Sequence, residues 1–253
     1  MLARDSMELL CKGLGWRPPG VHLAAISLGG MYALEMLAGL AEGAFSDLVG
    51  PSETTFSSVA LMVTQAVGWV NPMHGFLPFG FFPVFASGLA PGSKRAKVYR
   101  HLEQLFSREW LRTKSGVRHP KKGTPLTNAQ TLVRRGAQEH RDKRAEGFGP
   151  RGWFLPAASQ ACAVATHHIT KARFDAMVRH LAAEGCPVLV VCAGRDNLVR
   201  YSAQRSLAEA LRPAGAIEVL DMPDSSHGVI EERLSEVTAA LLRAARAAED
   251  AQE

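Results

Sequence analysis

Cysteine is scarce in this sequence. The four present, Cys11, Cys162, Cys186 and Cys192, show no framework spacing and no C-x-x-C pair. That argues against a disulfide scaffold or a thiolate zinc site and fits a reducing, cytoplasmic setting. Cys192 sits in an apolar run and reads as a core residue. Charged residues are absent from positions 54–93. Pro72, Pro78, Pro83 and Pro91 interrupt that window, so it does not provide the ~20 continuous apolar residues of a membrane-spanning helix. The opening residues carry Arg4, Asp5 and Glu8 where a signal peptide needs an apolar stretch, so none is expected. Internal repeats are lacking, and so is the Gly-x-Gly-x-x-Gly of a dinucleotide loop. Neither a metal nor a cofactor is expected.

What is present is an ordinary globular composition, 47% apolar and 21% charged over 253 residues, long enough for one domain with a sizeable core and an inserted segment. The net charge of +5 is unevenly spread. Ten basic residues fall within 112–144, opposed only by Glu139 and Asp142, so the rest of the chain is slightly acidic. Such a stretch reads first as a solvated insertion and second as a contact for phosphate or acidic lipid headgroups. It lacks the interleaved aromatics of a nucleic-acid surface, so no nucleic acid is expected as a partner.

Apolar spacing predicts a short helix over 6–14, a buried strand over 21–26 and a helix over 31–40. A second buried strand is predicted over 58–64, then one surface helix over 94–112 with Val98, Leu102, Leu105 and Phe106 on its apolar face. The basic stretch reads as irregular, with a helix over 128–144. Regular structure is expected again at 157–165, with a helix over 172–183. A strand at 187–193, a helix at 203–211, a strand at 216–220 and a closing helix at 231–249 complete the chain. Apolar strands separated by helices imply a mostly parallel sheet covered on both faces, an α/β fold.

The decisive segment runs Val21-His22-Leu23-Ala24-Ala25-Ile26-Ser27-Leu28-Gly29-Gly30-Met31. Ser27 stands between a buried strand and a helix, with Ala25 and Gly29 two positions to either side. In so tight a turn, large side chains at those flanks are expected to clash, and the hydroxyl is exposed above the sheet edge. The competing reading of Ser27 is a helix N-cap. It does not account for two glycines in the first helical turn, where each costs about 1 kcal/mol.

This segment resembles the nucleophile elbow of the α/β-hydrolase family, Gly-x-Ser-x-Gly, with Ala25 in place of the first glycine. The resemblance implies partners in the order serine, acid, histidine. The strand at 187–193 leads into Gly194-Arg195-Asp196-Asn197-Leu198-Val199, similar to the family's acid turn, with the glycine-to-acid spacing one residue shorter. The competing reading of Asp196-Asn197 is a plain turn. Met222-Pro223-Asp224-Ser225-Ser226-His227-Gly228 is similar to the family's histidine loop, with Ser226 where glycine is frequent. Asp224 is a weak substitute acid. The pair His167-His168 lacks metal-ligand spacing and reads as structural.

The resemblance implies a partial α/β-hydrolase fold with an inserted helical cap: a core at 1–65 and 157–253 and a cap at 66–156. It implies Ser27 as nucleophile, His227 as general base, Asp196 as its orienting acid and the Leu28 N–H as an oxyanion donor. Ala3, Asp5, Leu14, Gly15 and Trp16 match the family's segment before the elbow, so the resemblance begins in mid-fold. The early strands and the loop carrying the second oxyanion donor are not represented, and an open sheet edge is expected. Two functional readings follow: a serine hydrolase of an ester-like bond, or a non-catalytic or truncated α/β-hydrolase-like protein. A small or lipid-like ester is the expected partner, with membrane-surface contact admitted. Phe76, Phe79, Phe81, Phe82 and Phe85 read as an acyl pocket or as cap interior.

Overall fold

The computed structural model describes residues 2–16, 20–50, 56–66, 91–145 and 167–251. The aromatic segment with its five phenylalanines, Cys162 and the structure expected at 157–165 lie outside the described residues.

Helix α1 (Leu2–Glu8) runs into a widened turn at Leu9–Gly13. Strand β1 (His22–Ile26) is followed after a single residue by α2 (Leu28–Ala41), and then by β2 (Ser58–Met62). The insertion contributes α3 (Lys94–Leu105), α4 (Arg108–Arg112), β3 (Lys114–Arg118), β4 (Pro125–Thr127) and α5 (Asn128–Ala145). The core resumes with α6 (Lys171–Ala183), β5 (Val188–Ala193), α7 (Tyr201–Leu211) and β6 (Ile217–Met222). Two helices close the chain, α8 (Val229–Glu232) and α9 (Leu234–Asp250).

The main sheet has the order β1-β2-β5-β6, parallel throughout. Ile26 lies opposite Met62, Met62 opposite Val191, and Ala193 opposite Met222. In-register parallel pairing brings all four C-terminal ends to one edge, where open α/β sheets carry their sites.

Successive side chains of a strand face opposite ways, and here both ways are apolar. Val59, Leu61, Val188, Val190 and Cys192 join the cluster with α1, α2 and α6, including Met7, Leu34, Leu37, Phe174 and Met177. Ala60, Met62, Leu189, Val191 and Ala193 pack with Val237, Ala240 and Ala244 of α9. This two-sided burial is why β2 and β5 read as unbroken apolar runs. Strand β1 is the last strand of the described sheet, and His22, Ala24 and Ile26 are exposed along it.

The insertion differs from the sequence expectation. The single helix at 94–112 is two helices. Phe106 is extended (φ −129°, ψ 150°), and Ser107 caps α4 by accepting from Trp110 N. Val98, expected on the apolar face, is 41% exposed, whereas Tyr99, Leu102, Leu105 and Phe106 turn inward. They pack with Trp110, Leu111, Ala129 and Leu132 in a small core of their own. The part of the basic stretch read as irregular holds an antiparallel hairpin, β3–β4. Its strands are short and mostly exposed, so they carry no apolar alternation to reveal them. The closing helix is likewise divided, at Arg233.

Candidate active site

Ser27 has φ 53° and ψ −122°, a conformation that non-glycine residues adopt at a cost of about 1–3 kcal/mol. It occupies the N-cap position of α2, yet its side chain makes no capping hydrogen bond. Its backbone is held from three directions. Ser27 N–H donates to Met62 O at 2.9 Å, and its carbonyl accepts from Gly30 N–H at 3.0 Å and from the Thr64 hydroxyl at 2.7 Å. The steric demand of the turn falls elsewhere than expected. A Cβ on Gly29 would meet nothing within 4 Å, whereas one on Gly30 would lie 2.5 Å from Thr64 Cγ2. Ala25 is buried in the α2-side core. The residue that must stay small is therefore Gly30, because the Thr64 side chain lies directly against it. Leu28 opens α2, so its N–H is among the first-turn donors without an intrahelical acceptor.

Asp196 follows β5, and its two oxygens divide their work. Oδ1 accepts from Leu198 N–H at 2.7 Å and Val199 N–H at 2.9 Å, forming the turn. Oδ2 lies 2.8 Å from His227 Nδ1 and accepts from Gln204 Nε2 at 3.1 Å. One oxygen of Asp196 thus builds the turn while the other faces His227. The Asp196 side chain is fully buried and that of His227 is 10% exposed. A carboxylate only accepts, so Nδ1 carries the proton and Nε2 is left as the basic nitrogen. Asp224, by contrast, is exposed and pairs with Arg195 at 2.6 Å.

Ser27 and His227 stand at the same sheet edge, but no hydrogen bond joins them among the described residues. Such bonds are often long without substrate and tighten in the complex.

Two supporting residues were missed in the sequence. Gln204 is buried in α7 and holds Asp196, Val199 O at 2.8 Å and Ala193 N–H at 2.8 Å. A lone glutamine among Ala203, Leu207 and Ala208 was its visible signal. Glu232 accepts from Ser226 N–H and from Ser107 N–H, and nothing in local spacing marks it.

Other titratable groups read as structural. His167 lies 3.5 Å from Glu35, and its burial holds the imidazole below its ordinary pKa, partly offset by that carboxylate. Burial, with a smaller contribution from Asp221, pushes the Cys192 thiol up to about 12, so it is no nucleophile at neutral pH. Among the described residues no group of His, Cys, Asp and Glu could hold a metal ion, and no helix is long and apolar enough to cross a membrane.

No protein-family model matches the chain, and no curated protein matches it. Solved structures do. The chain is similar to a candidate non-heme bromoperoxidase, BpoC, of Mycobacterium tuberculosis H37Rv, with a TM-score of 0.56 and 21% identity over 97% of this chain and 73% of that one. It is similar to MGS-M2, an α/β-hydrolase enzyme from a Medee basin deep-sea metagenome library (TM-score 0.55, 15% identity, 95% and 69% covered). It is also similar to a candidate aryl esterase from Burkholderia cenocepacia (TM-score 0.54, 16% identity, 98% and 71% covered). The likeness is one of fold, and the fold is that of the α/β hydrolases.

Proposed function

We propose that this chain is a serine hydrolase of an ester-like bond: a carboxylic ester, a thioester or a lipid ester. One observation carries the reading. A buried Asp196–His227 pair, joined at 2.8 Å, occupies the same sheet edge as Ser27 in its left-handed turn. In the proposed reaction His227 Nε2 takes the proton as Ser27 Oγ attacks the carbonyl carbon. Asp196 orients the imidazole and stabilises its charged form. The Leu28 N–H donates to the developing oxyanion. His227 then protonates the leaving alcohol or thiol, and water releases the acyl group by the same steps reversed. The described neighbours, a hydrolase and a candidate esterase among them, support hydrolysis as the class.

The test is labelling by a fluorophosphonate probe, with turnover of p-nitrophenyl esters. Labelling that maps to Ser27 and is lost in Ser27→Ala is the expected result. A folded protein that neither labels nor turns over ester would favour the non-catalytic reading.

One observation favours contact with an anionic lipid surface. Arg118 of the hairpin and Arg134, Arg135 and Arg141 of α5 line a groove of about 480 Å³ with no carboxylate in its lining. Co-sedimentation with phosphatidylglycerol vesicles that disappears at high salt is the expected outcome on that reading. Equal binding to neutral vesicles would remove it.

A further inference from the structure

His227 is held on one side by Asp196. Its immediate neighbours in the chain are held by the insertion. Gly228 N–H donates to Leu105 O at 2.7 Å, and the Ser226 hydroxyl lies 2.7 Å from the same carbonyl. Phe106, the extended residue between α3 and α4, lies against Gly228. A Cβ there would come 2.1 Å from Phe106 Cε1, so the ring rests on bare backbone. Glu232 joins the two sides. Its Oε1 accepts from Ser107 N–H at 2.6 Å and from the Ser226 hydroxyl at 2.8 Å, and its Oε2 accepts from Ser226 N–H at 2.8 Å. One carboxylate thus takes one backbone donor from the insertion and one from the residue preceding the imidazole.

We propose that Glu232 is a positioning residue that couples the docking of the insertion to the placement of His227. It does not touch the reacting atoms. Hydrogen bonds to an ionised acceptor are about twice as strong as neutral ones, and this pair spans two elements that share no other carboxylate bridge among the described residues. Residues 105–107 cannot lift away without breaking bonds on both sides of His227. Movement of residues 105–107 is therefore movement of the loop that carries the imidazole. The catalytic consequence rests on the proposed hydrolase function, whereas the mechanical coupling does not.

The experiment is hydrogen exchange on the whole chain, following residues 103–109 and 225–230, alongside fluorophosphonate labelling and ester kinetics. Two variants are compared with the unaltered protein. Glu232→Gln keeps one acceptor oxygen and sets an amide NH₂ against a backbone donor. Ser107→Pro changes only the insertion; φ −64° at Ser107 and the extended Phe106 before it accommodate the ring, while the N–H to Glu232 is removed. Exchange is expected to quicken in both segments together in each variant, with β5 unchanged. In Glu232→Gln, kcat is expected to fall by roughly 10²-fold, as for an ångström-scale misplacement, with KM within about threefold.

Exchange that quickens at 103–109 alone in Ser107→Pro would overturn the coupling. So would unchanged kcat in Glu232→Gln in a protein that turns over ester. If the unaltered protein fails to label, the hydrolase reading falls, and the coupling is decided by exchange alone.

Discussion

Gln204 bonds to Asp196 at 3.1 Å on the same oxygen that faces His227, and it does so while closing two backbone groups of the acid turn, Val199 O and Ala193 N–H. The Asp196 carboxylate is therefore fixed by a neutral amide in the interior of α7 as well as by its own turn.

Replacing Gln204 by Leu should remove all three bonds and leave a buried N–H without an acceptor. Each unsatisfied buried group costs about 1–3 kcal/mol, so thermal denaturation should show a lower midpoint. Ester turnover should fall further than stability, because Asp196 loses its lateral support. Unchanged melting and turnover would show that the turn alone fixes the acid.

Ser27→Gly should separate stability from activity. Glycine adopts positive φ without the penalty serine bears, so the variant should be more stable by about 1 kcal/mol in urea denaturation. Fluorophosphonate labelling should be lost. A less stable variant would mean that the hydroxyl contributes more to folding than its backbone angles cost.

Gly30→Ala and Gly29→Ala should behave oppositely. A methyl group at position 30 collides with Thr64, whose hydroxyl holds the Ser27 carbonyl. Such overpacking costs about 1–3 kcal/mol. At position 29 the space is open, and alanine should gain up to about 1 kcal/mol of helix propensity. Paired denaturant melts decide it; equal effects would contradict the placement of Thr64.

Acidification should destabilise the fold through His167 and His101. Burial lowers both below the ordinary value of 6.5, with Glu35 opposing the shift at His167. Each binds a proton more readily unfolded than folded, so its stabilising contribution is full above 6.5 and is lost as pH falls through the depressed folded values. Melting at pH 5.5 should lie below that at pH 7.5, and His167→Gln should flatten the difference. An unchanged slope would place the titration elsewhere.

Much of the core was legible in the chain. Strands β2 and β5 are buried on both faces, and that burial writes an unbroken apolar run into the sequence. The helices expected at 172–183 and 203–211 lie close to their observed bounds, Lys171–Ala183 and Tyr201–Leu211, whereas the one expected at 6–14 runs over Leu2–Glu8 and gives way to the widened turn Leu9–Gly13. The insertion was less legible. A surface helix and a surface break have similar composition, and Ser107 reads equally well as a polar helical residue or as the cap it is.

The sequence by itself determined the order of strand, Ser27, Asp196 and His227, and the α/β class that orders them, because local pattern and turn chemistry act between near neighbours. Only the tertiary structure decided that Asp196 and His227 meet across 31 residues. It likewise decided that the residue of the Ser27 turn that must stay small is Gly30, and that Glu232 reaches Ser107 across 125 residues. Those facts depend on parallel strand register and on which loops cross, and neither leaves a trace in local spacing.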